Sequence, residues 1–321
     1  MIKKIIKERI TVVIKKLPII KLFFNKITAL ENEVSCLREF HDIYNNNSCW
    51  PVGHFYSSIV LIDSIKNKEN VIWKEDSSDN IKSIELSKSV QLDLARKLAC
   101  FYVENPFEAT KKNGLRYYFE NDYYSYTDGI VLYSMLRHFR PKRIIEIGSG
   151  FSSSLMLDTN EYYFNNSIDL TFIEPYTQRL NSLLKKNDKE KVKIIEMNVQ
   201  EVPLKFFEEL NSGDILFVDS SHVVKTGSDV NFIVFEILPI LKQGVLIHFH
   251  DVFYPFEYPK EWVYEGRNWN EDYLLRAFLM YNSAFEIVFF SRYLHRFHKE
   301  VFESMPACYK NQGGNLWLKK K

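Results

Sequence analysis

The chain has 321 residues and a mass of 38.1 kDa, with 46% hydrophobic and 26% charged residues and a formal charge of +1. This is ample material for a globular core, which excludes a disordered or collagen-like chain. A charge so near zero argues against a general nucleic-acid binder, which would carry a strongly basic face. Cys36, Cys49, Cys100 and Cys308 lie far apart without CxxC spacing. Neither a disulfide framework nor a zinc knuckle is indicated, and a reducing cytoplasm is the natural setting.

Charge is nonetheless unevenly spread. Residues 1–26 hold eight basic side chains against the single acid Glu8, a net +7, and the rest of the chain carries −6. In that segment Ile2, Ile5, Ile6, Ile10, Val13, Ile14 and Leu17 recur at three- and four-residue steps, the pattern of a basic amphipathic helix. Such a helix can rest peripherally on the inner membrane face, with lysines toward anionic headgroups. Equally, it can pack on the protein itself or serve a homo-oligomer, because Ile27, Leu30, Val34 and Leu37 continue the stripe beyond Pro18 in a heptad-like pattern. No run of 18 apolar residues occurs, so no spanning helix is predicted.

Residues 41–125 are aromatic-rich, with loops at 45–48 and 74–80, helical spacing from Leu86 to Glu104, and a tyrosine- and phenylalanine-dense stretch at 117–126. From about residue 127 short apolar runs alternate with amphipathic segments. Strands are predicted at Arg143–Ile147, Leu170–Glu174, Val192–Met197, Ile215–Asp219, Val245–His250, Phe285–Phe290 and Leu316–Leu318. Helices are predicted near 128–139, 151–157, 176–186, 204–210, 228–241 and 270–281. The expected fold is α/β: a doubly wound, seven-stranded, mostly parallel sheet with a helical N-terminal extension and a last strand antiparallel to the sixth. The expected organisation is 1–40 as a basic helical segment, 41–125 as an extension or cap, and 126–321 as the sheet domain. Ligands in such sheets bind at the carboxyl ends of the strands, where the strand order reverses.

The first predicted strand ends in Glu146-Ile147-Gly148-Ser149-Gly150-Phe151-Ser152-Ser153, a glycine turn that opens into a helix and admits a ligand close to the backbone. A dinucleotide fingerprint would place a third glycine at Ser153. Glu174, at the tip of the second strand, suits a ribose hydroxyl under either a dinucleotide or another adenosine ligand. Together these residues indicate a nucleoside site without identifying the nucleoside.

The stretch Arg143-Ile-Ile-Glu-Ile-Gly-Ser-Gly150, followed by Phe-Ile-Glu174-Pro, resembles the first two motifs of class I S-adenosylmethionine-dependent methyltransferases. The likeness spans roughly residues 120–321 and implies a Rossmann-like methyltransferase domain. It also implies S-adenosylmethionine contacts from Glu146, Gly148, Ser149, Gly150, Ser152, Glu174 and Gln200, with 198–200 flanking the adenine. Gly53–Ser57 and Tyr117–Asn121 resemble segments of members associated with surface-polysaccharide genes. Asp219-Ser-Ser-His222 after the fourth strand and His250-Asp251 after the fifth are similar to metal-dependent sugar O-methyltransferases of the macrolide-tailoring kind. That resemblance implies a divalent metal, magnesium by preference, on Asp219, His250 and Asp251, with His222 as base; His250 stands where an acid is usual. The two clusters, each just past a strand end, are expected to converge on one crevice.

His248 and His250 are expected on opposite sheet faces, with His248 a buried structural histidine. Trp262, Trp269 and Tyr258 are expected either to stack on a sugar face or to pack. The predicted function is a cytoplasmic S-adenosylmethionine-dependent O-methyltransferase, metal-assisted, acting on a hydroxyl of a carbohydrate or glycoconjugate, with a small-molecule or glycan acceptor as partner and polysaccharide biosynthesis as the setting. The competing readings are a metal-independent methyltransferase, a nicotinamide-dependent oxidoreductase and a membrane-tethered binding module without catalysis.

Overall fold

The computed structural model describes residues 18–74 and 78–321. The basic amphipathic stripe from Ile2 to Leu17 therefore lies outside the described residues. The chain divides into two compact units, Met1–Asn67 and Lys68–Lys321. In the first, α1 (Pro18–Asn47) is a 30-residue helix, followed by a turn-rich stretch and the short α2 (Ile62–Lys66). No helix among the described residues is long and apolar enough to cross a membrane.

The second unit opens with α3 (Glu69–Ile72) and α4 (Lys88–Ala99). The central sheet then runs with its helices: α5 (Tyr126–Phe139), β1 (Arg143–Ile147), α6 (Phe151–Phe164), β2 (Asp169–Ile173), α7 (Gln178–Leu183), β3 (Lys193–Ile195) and β4 (Ile215–Val218). Then follow α8 (Asp229–Phe232), α9 (Leu238–Ile240), β5 (Leu246–His250), α10 (Lys260–Tyr264), α11 (Glu271–Leu279), β6 (Phe285–Phe290), α12 (Ser291–Phe297) and β7 (Asn315–Lys320). The order across the sheet is β3-β2-β1-β4-β5-β7-β6. Strands β1 to β5 are parallel, and β7 runs antiparallel between β5 and β6. Strand order reverses between β1 and β4, so the crevice at their carboxyl ends is the place for a ligand.

The central strands form because helices cover both faces of the sheet, so they can be apolar throughout: β4 is Ile-Leu-Phe-Val and wholly buried. The edge strand β3, hydrogen-bonded on one side only, covers three residues rather than the six predicted. The helix expected at 228–241 is broken into α8, a π turn at Ile233–Ile237, and α9. Pro239, with no N–H to donate, cannot continue a regular ladder there. The segment expected as a helix at 204–210 is 3-10 over Leu204–Glu209, and the one expected at 176–186 shortens to α7. Ahead of the sheet, α4 is tied to β6 by one buried side chain: Gln91 Oε1 accepts from Phe290 N at 2.8 Å.

Candidate active site

Gly148 begins the turn after β1 with φ +82°, and a Cβ at that position would collide with the carbonyl oxygen of Asp219. Only glycine both adopts this backbone and lets the ends of β1 and β4 approach so closely. The same turn is held on the β2 side, where Ser149 N donates to Glu174 Oε2 at 3.0 Å and Tyr176 N donates to Glu174 Oε1 at 2.8 Å. Beneath it, Glu146 accepts from Ser152 Oγ at 2.6 Å and from the Ser153 hydroxyl. Glu146 is fully buried and lines no part of the crevice, which corrects its expected place among the cofactor contacts. Burial pushes its carboxyl up to about 8, so it works as an internal brace for the turn.

The crevice has two adjoining lobes of about 670 and 460 Å³ that share Gly148, Glu174, Asp219, Ser220 and Ser221. The smaller reaches Asn198 and Gln200, whose Nε2 donates to Gly227 O at 2.8 Å. The larger takes in Ser149, Gly150, Ser152, His222, His250 and Asp251. Ser149 Oγ, Ser220 Oγ and Gln200 Oε1 are buried along this crevice with no hydrogen-bond partner among the described residues. Buried polar atoms without partners are costly, and three along one cleft suit a polar ligand that would pair them. A nucleoside with an amino-acid tail, as in S-adenosylmethionine, has the donors and acceptors for that.

Past the ends of β4 and β5 the acids and imidazoles meet. His222 Nε2 lies 3.4 Å from Asp219 Oδ1 and 3.7 Å from Asp251 Oδ2. Its Nδ1 lies 2.8 Å from Glu271 Oε2. Both His222 (φ +59°) and Asp251 (φ +56°) hold left-handed backbone, strain of the kind that gathers at functional sites. The His222 conformation is fixed from outside, because its carbonyl accepts from Asn270 N and Glu271 N at 3.1 and 3.2 Å. This pins the start of α11 to the loop after β4.

The residues differ in what controls their charge. Burial opposes the imidazolium of His222, but Asp219, Glu271 and Asp251 around it raise its pKa well above the usual value. Burial raises the pKa of Asp251 and of Glu271. For Asp219 burial is outweighed by His250 and His222, which lower its pKa. Three carboxylates thus converge on one imidazole, an excess of acid that a cation would offset.

Asp219, His222 and Asp251 each offer one ligand atom, all within 4.8 Å of one another. Two carboxylates and one imidazole, with room for waters, fit a divalent ion such as magnesium or manganese. His250, expected as a ligand, is not in this group. It turns Nε2 to Asp251 Oδ1 at 3.4 Å and packs its ring 4.9 Å from that of Tyr124. His248 and His250 also share one sheet face, with ring centroids 6.0 Å apart and Tyr124 against both. The expectation of opposite faces fails because residues two apart on a strand point the same way. His248 is fully buried as expected, and burial holds its pKa well below the usual value.

The outer wall is aromatic. Trp262 and Trp269 line the larger lobe edge to face, centroids 5.3 Å apart, and Trp269 lies 4.4 Å from the His222 ring. Tyr258 is not part of this wall: it is buried, and its hydroxyl accepts from Asp272 N at 3.2 Å. Two cations and one acid had no individual role in the sequence reading. Arg179 covers the Tyr123 ring at 3.8 Å, and Arg267 covers Trp262 at 4.3 Å. Glu271 stands 49 residues from His222, and no local pattern links the two. The only available sign was an acid in the first turn of a predicted helix at this edge of the sheet.

Residues 145–252 match a family model described as a methyltransferase domain. The chain is 32% identical over 171 residues to an uncharacterized protein of Archaeoglobus fulgidus, covering 52% of this chain and 76% of that protein. Among solved structures it is similar to an SAH-bound methyltransferase from Podospora anserina (TM-score 0.41, 14% identity, 86% of this chain and 99% of the other). It is also similar to the O-methyltransferase TomG from Streptomyces achromogenes, involved in tomaymycin synthesis and solved with SAM (TM-score 0.40, 13% identity, 80% and 96%).

Proposed function

We propose that this chain, which belongs to the class I S-adenosylmethionine-dependent methyltransferases, methylates a hydroxyl of a carbohydrate or glycoconjugate with the help of a divalent metal. The observation that carries the reading is the placement of Asp219, His222 and Asp251 within 4.8 Å of one another, beside the glycine turn and facing an aromatic wall.

S-adenosylmethionine over Gly148–Gly150 would supply the electrophilic methyl group, and Glu174 is positioned to receive ribose hydroxyls. A divalent ion on Asp219 and Asp251 would supply a Lewis acid that lowers the pKa of the acceptor hydroxyl. With such an ion offsetting the Asp219 and Asp251 carboxylates that otherwise favour the imidazolium, His222 would be neutral, and its Nε2 would take the hydroxyl proton as the oxygen–methyl bond forms and the sulfur–methyl bond breaks. Glu271, 2.8 Å from Nδ1, holds the ring in the tautomer that leaves Nε2 free and stabilises the charge it acquires. Trp262 and Trp269 give the sugar ring an apolar face to stack on and exclude water from the acceptor side.

The decisive experiment is transfer of labelled methyl to a panel of sugars and glycolipids, with and without chelator. Turnover that stops with chelator and returns with magnesium or manganese supports the metal; turnover indifferent to chelator removes it. A second reading makes His222 the third ligand, since its imidazole is in the same cluster. Calorimetric metal titration separates the two. Under the base assignment His222→Asn leaves metal affinity within a few-fold, whereas Asp219→Ala abolishes binding.

A further inference from the structure

We infer that α1 pairs with α1 of a second copy of this chain as a parallel, in-register, two-stranded coiled coil. The helix is 30 residues long, a rod of about 45 Å. Along it Phe23, Ile27, Leu30, Val34, Leu37, His41 and Tyr44 recur at alternating steps of four and three, which keeps them on one seam. Ile27 and Val34 occupy one class of seam position, Leu30 and Leu37 the other. A β-branched residue at the first and leucine at the second is the combination that favours two parallel strands. These four apolar side chains are 48%, 44%, 51% and 61% exposed, in that order, and Ile27, Leu30 and Val34 line a shallow groove with Glu31, Ser35 and Arg38.

Charge names the occupant and its direction. Lys26 and Glu33 flank the seam on one side, Glu31 and Arg38 on the other. In a parallel, in-register pair each flanking residue meets the one five positions on in the second helix. Lys26 then faces Glu31 of the partner subunit, and Glu33 faces Arg38 of the partner subunit. Symmetry repeats both contacts, so every charged pair along these heptads is of opposite sign. Reversing one helix, with Ile27 set against Leu37 of the partner subunit, would bring Glu31 against its own copy and Glu33 against its own copy. A bilayer is the poorer occupant: Pro18–Asn47 carries three basic and four acidic side chains, with no net attraction to anionic headgroups.

Light scattering and sedimentation of the full chain at micromolar concentration should give twice 38.1 kDa. Leu30→Asp with Leu37→Asp should halve the mass while circular dichroism keeps the melting of the sheet unit. Lys26→Glu should weaken dimerisation on the order of tenfold, and adding Glu31→Lys should restore it, because the swap re-forms an opposite pair only between residues that meet. With Cys36, Cys49 and Cys100 replaced by serine, Leu30→Cys should cross-link on mild oxidation, since register brings the two copies of position 30 together. A mass of one or three chains, a dimer that survives the double aspartate, or absence of the cross-link overturns the inference. A single chain that sediments with phosphatidylserine vesicles overturns it in favour of a lipid surface.

Discussion

Two buried charge clusters in the sheet unit are built from similar residues and do opposite things. Around Arg116 every carboxylate accepts a hydrogen bond from the guanidinium. The guanidinium donates to Asp188 from Nε at 2.7 Å, and to Asp158 and Glu161 from one terminal nitrogen at 2.6 and 2.9 Å. Asp158 is completed by the backbone N–H groups of Arg116 and Tyr117 at 2.7 and 2.9 Å. Around His222 the pairing is left unfinished. Asp219 and Asp251 stand off at 3.4 and 3.7 Å, and Glu271 Oε1 and His250 Nδ1 have no partner among the described residues. The first cluster clamps the segment before α5 to α6; the second faces a cavity. Saturated pairing marks structure, and unsaturated pairing beside open space marks a place kept for a ligand and a proton.

If that distinction is right, mutations in the two clusters separate activity from stability. His222→Asn, chosen because asparagine tolerates the left-handed backbone, should cut methyl transfer by about 10²–10⁴-fold in single-turnover assays, with melting little changed. Arg116→Met should do the reverse. It strands buried carboxylates and should cost about 3–5 kcal/mol in denaturant unfolding, while transfer by the folded fraction stays near that of the parent. Large losses of stability from both substitutions would erase the contrast. Glu271→Gln sharpens it, because in the proposed mechanism this residue acts through His222, 2.8 Å away. A rate reduced roughly 10–100-fold, with the pH profile of turnover displaced, marks a positioning role. An unaltered profile would reduce Glu271 to packing.

The legibility of the sequence follows the same line. Strands β1, β4 and β5 were readable because burial on both faces writes them as unbroken apolar runs, and their ends place Asp219, His222 and Asp251 at one crevice before any coordinates exist. What fell outside was whatever depends on how distant segments dock. Glu271 reaches His222 only because the start of α11 is hydrogen-bonded to the His222 carbonyl, a contact that no periodicity encodes. Glu146 has the motif position of a ligand contact, yet it points beneath the turn to two serine hydroxyls. Tyr258 belongs to the aromatic run that supplies the wall, but its hydroxyl is committed to the backbone of α11.

The smallest expected effect extends the comparison to histidines without acids. His222 and His250 are surrounded by carboxylates that raise their pKa values despite burial. His295 has none: its ring is stacked on Phe302 at 3.9 Å, and its Nε2 is 3.2 Å from Thr127 Oγ1. Burial, helped by Arg292 and Lys299, pushes it down to about 4. Between that value and the ordinary histidine value of about 6.5 the unfolded chain binds the proton and the folded chain does not. Its contribution to stability is therefore complete above about pH 6.5 and declines as pH falls toward 4. Chemical unfolding at pH 7 and pH 5 should differ by on the order of 2 kcal/mol from this residue. His295→Gln, which keeps a polar partner for Thr127 but does not titrate, should remove that part of the slope. A slope unchanged in the variant would assign the acid sensitivity to other groups, with His248, buried and equally without an acid beside it, the next to replace.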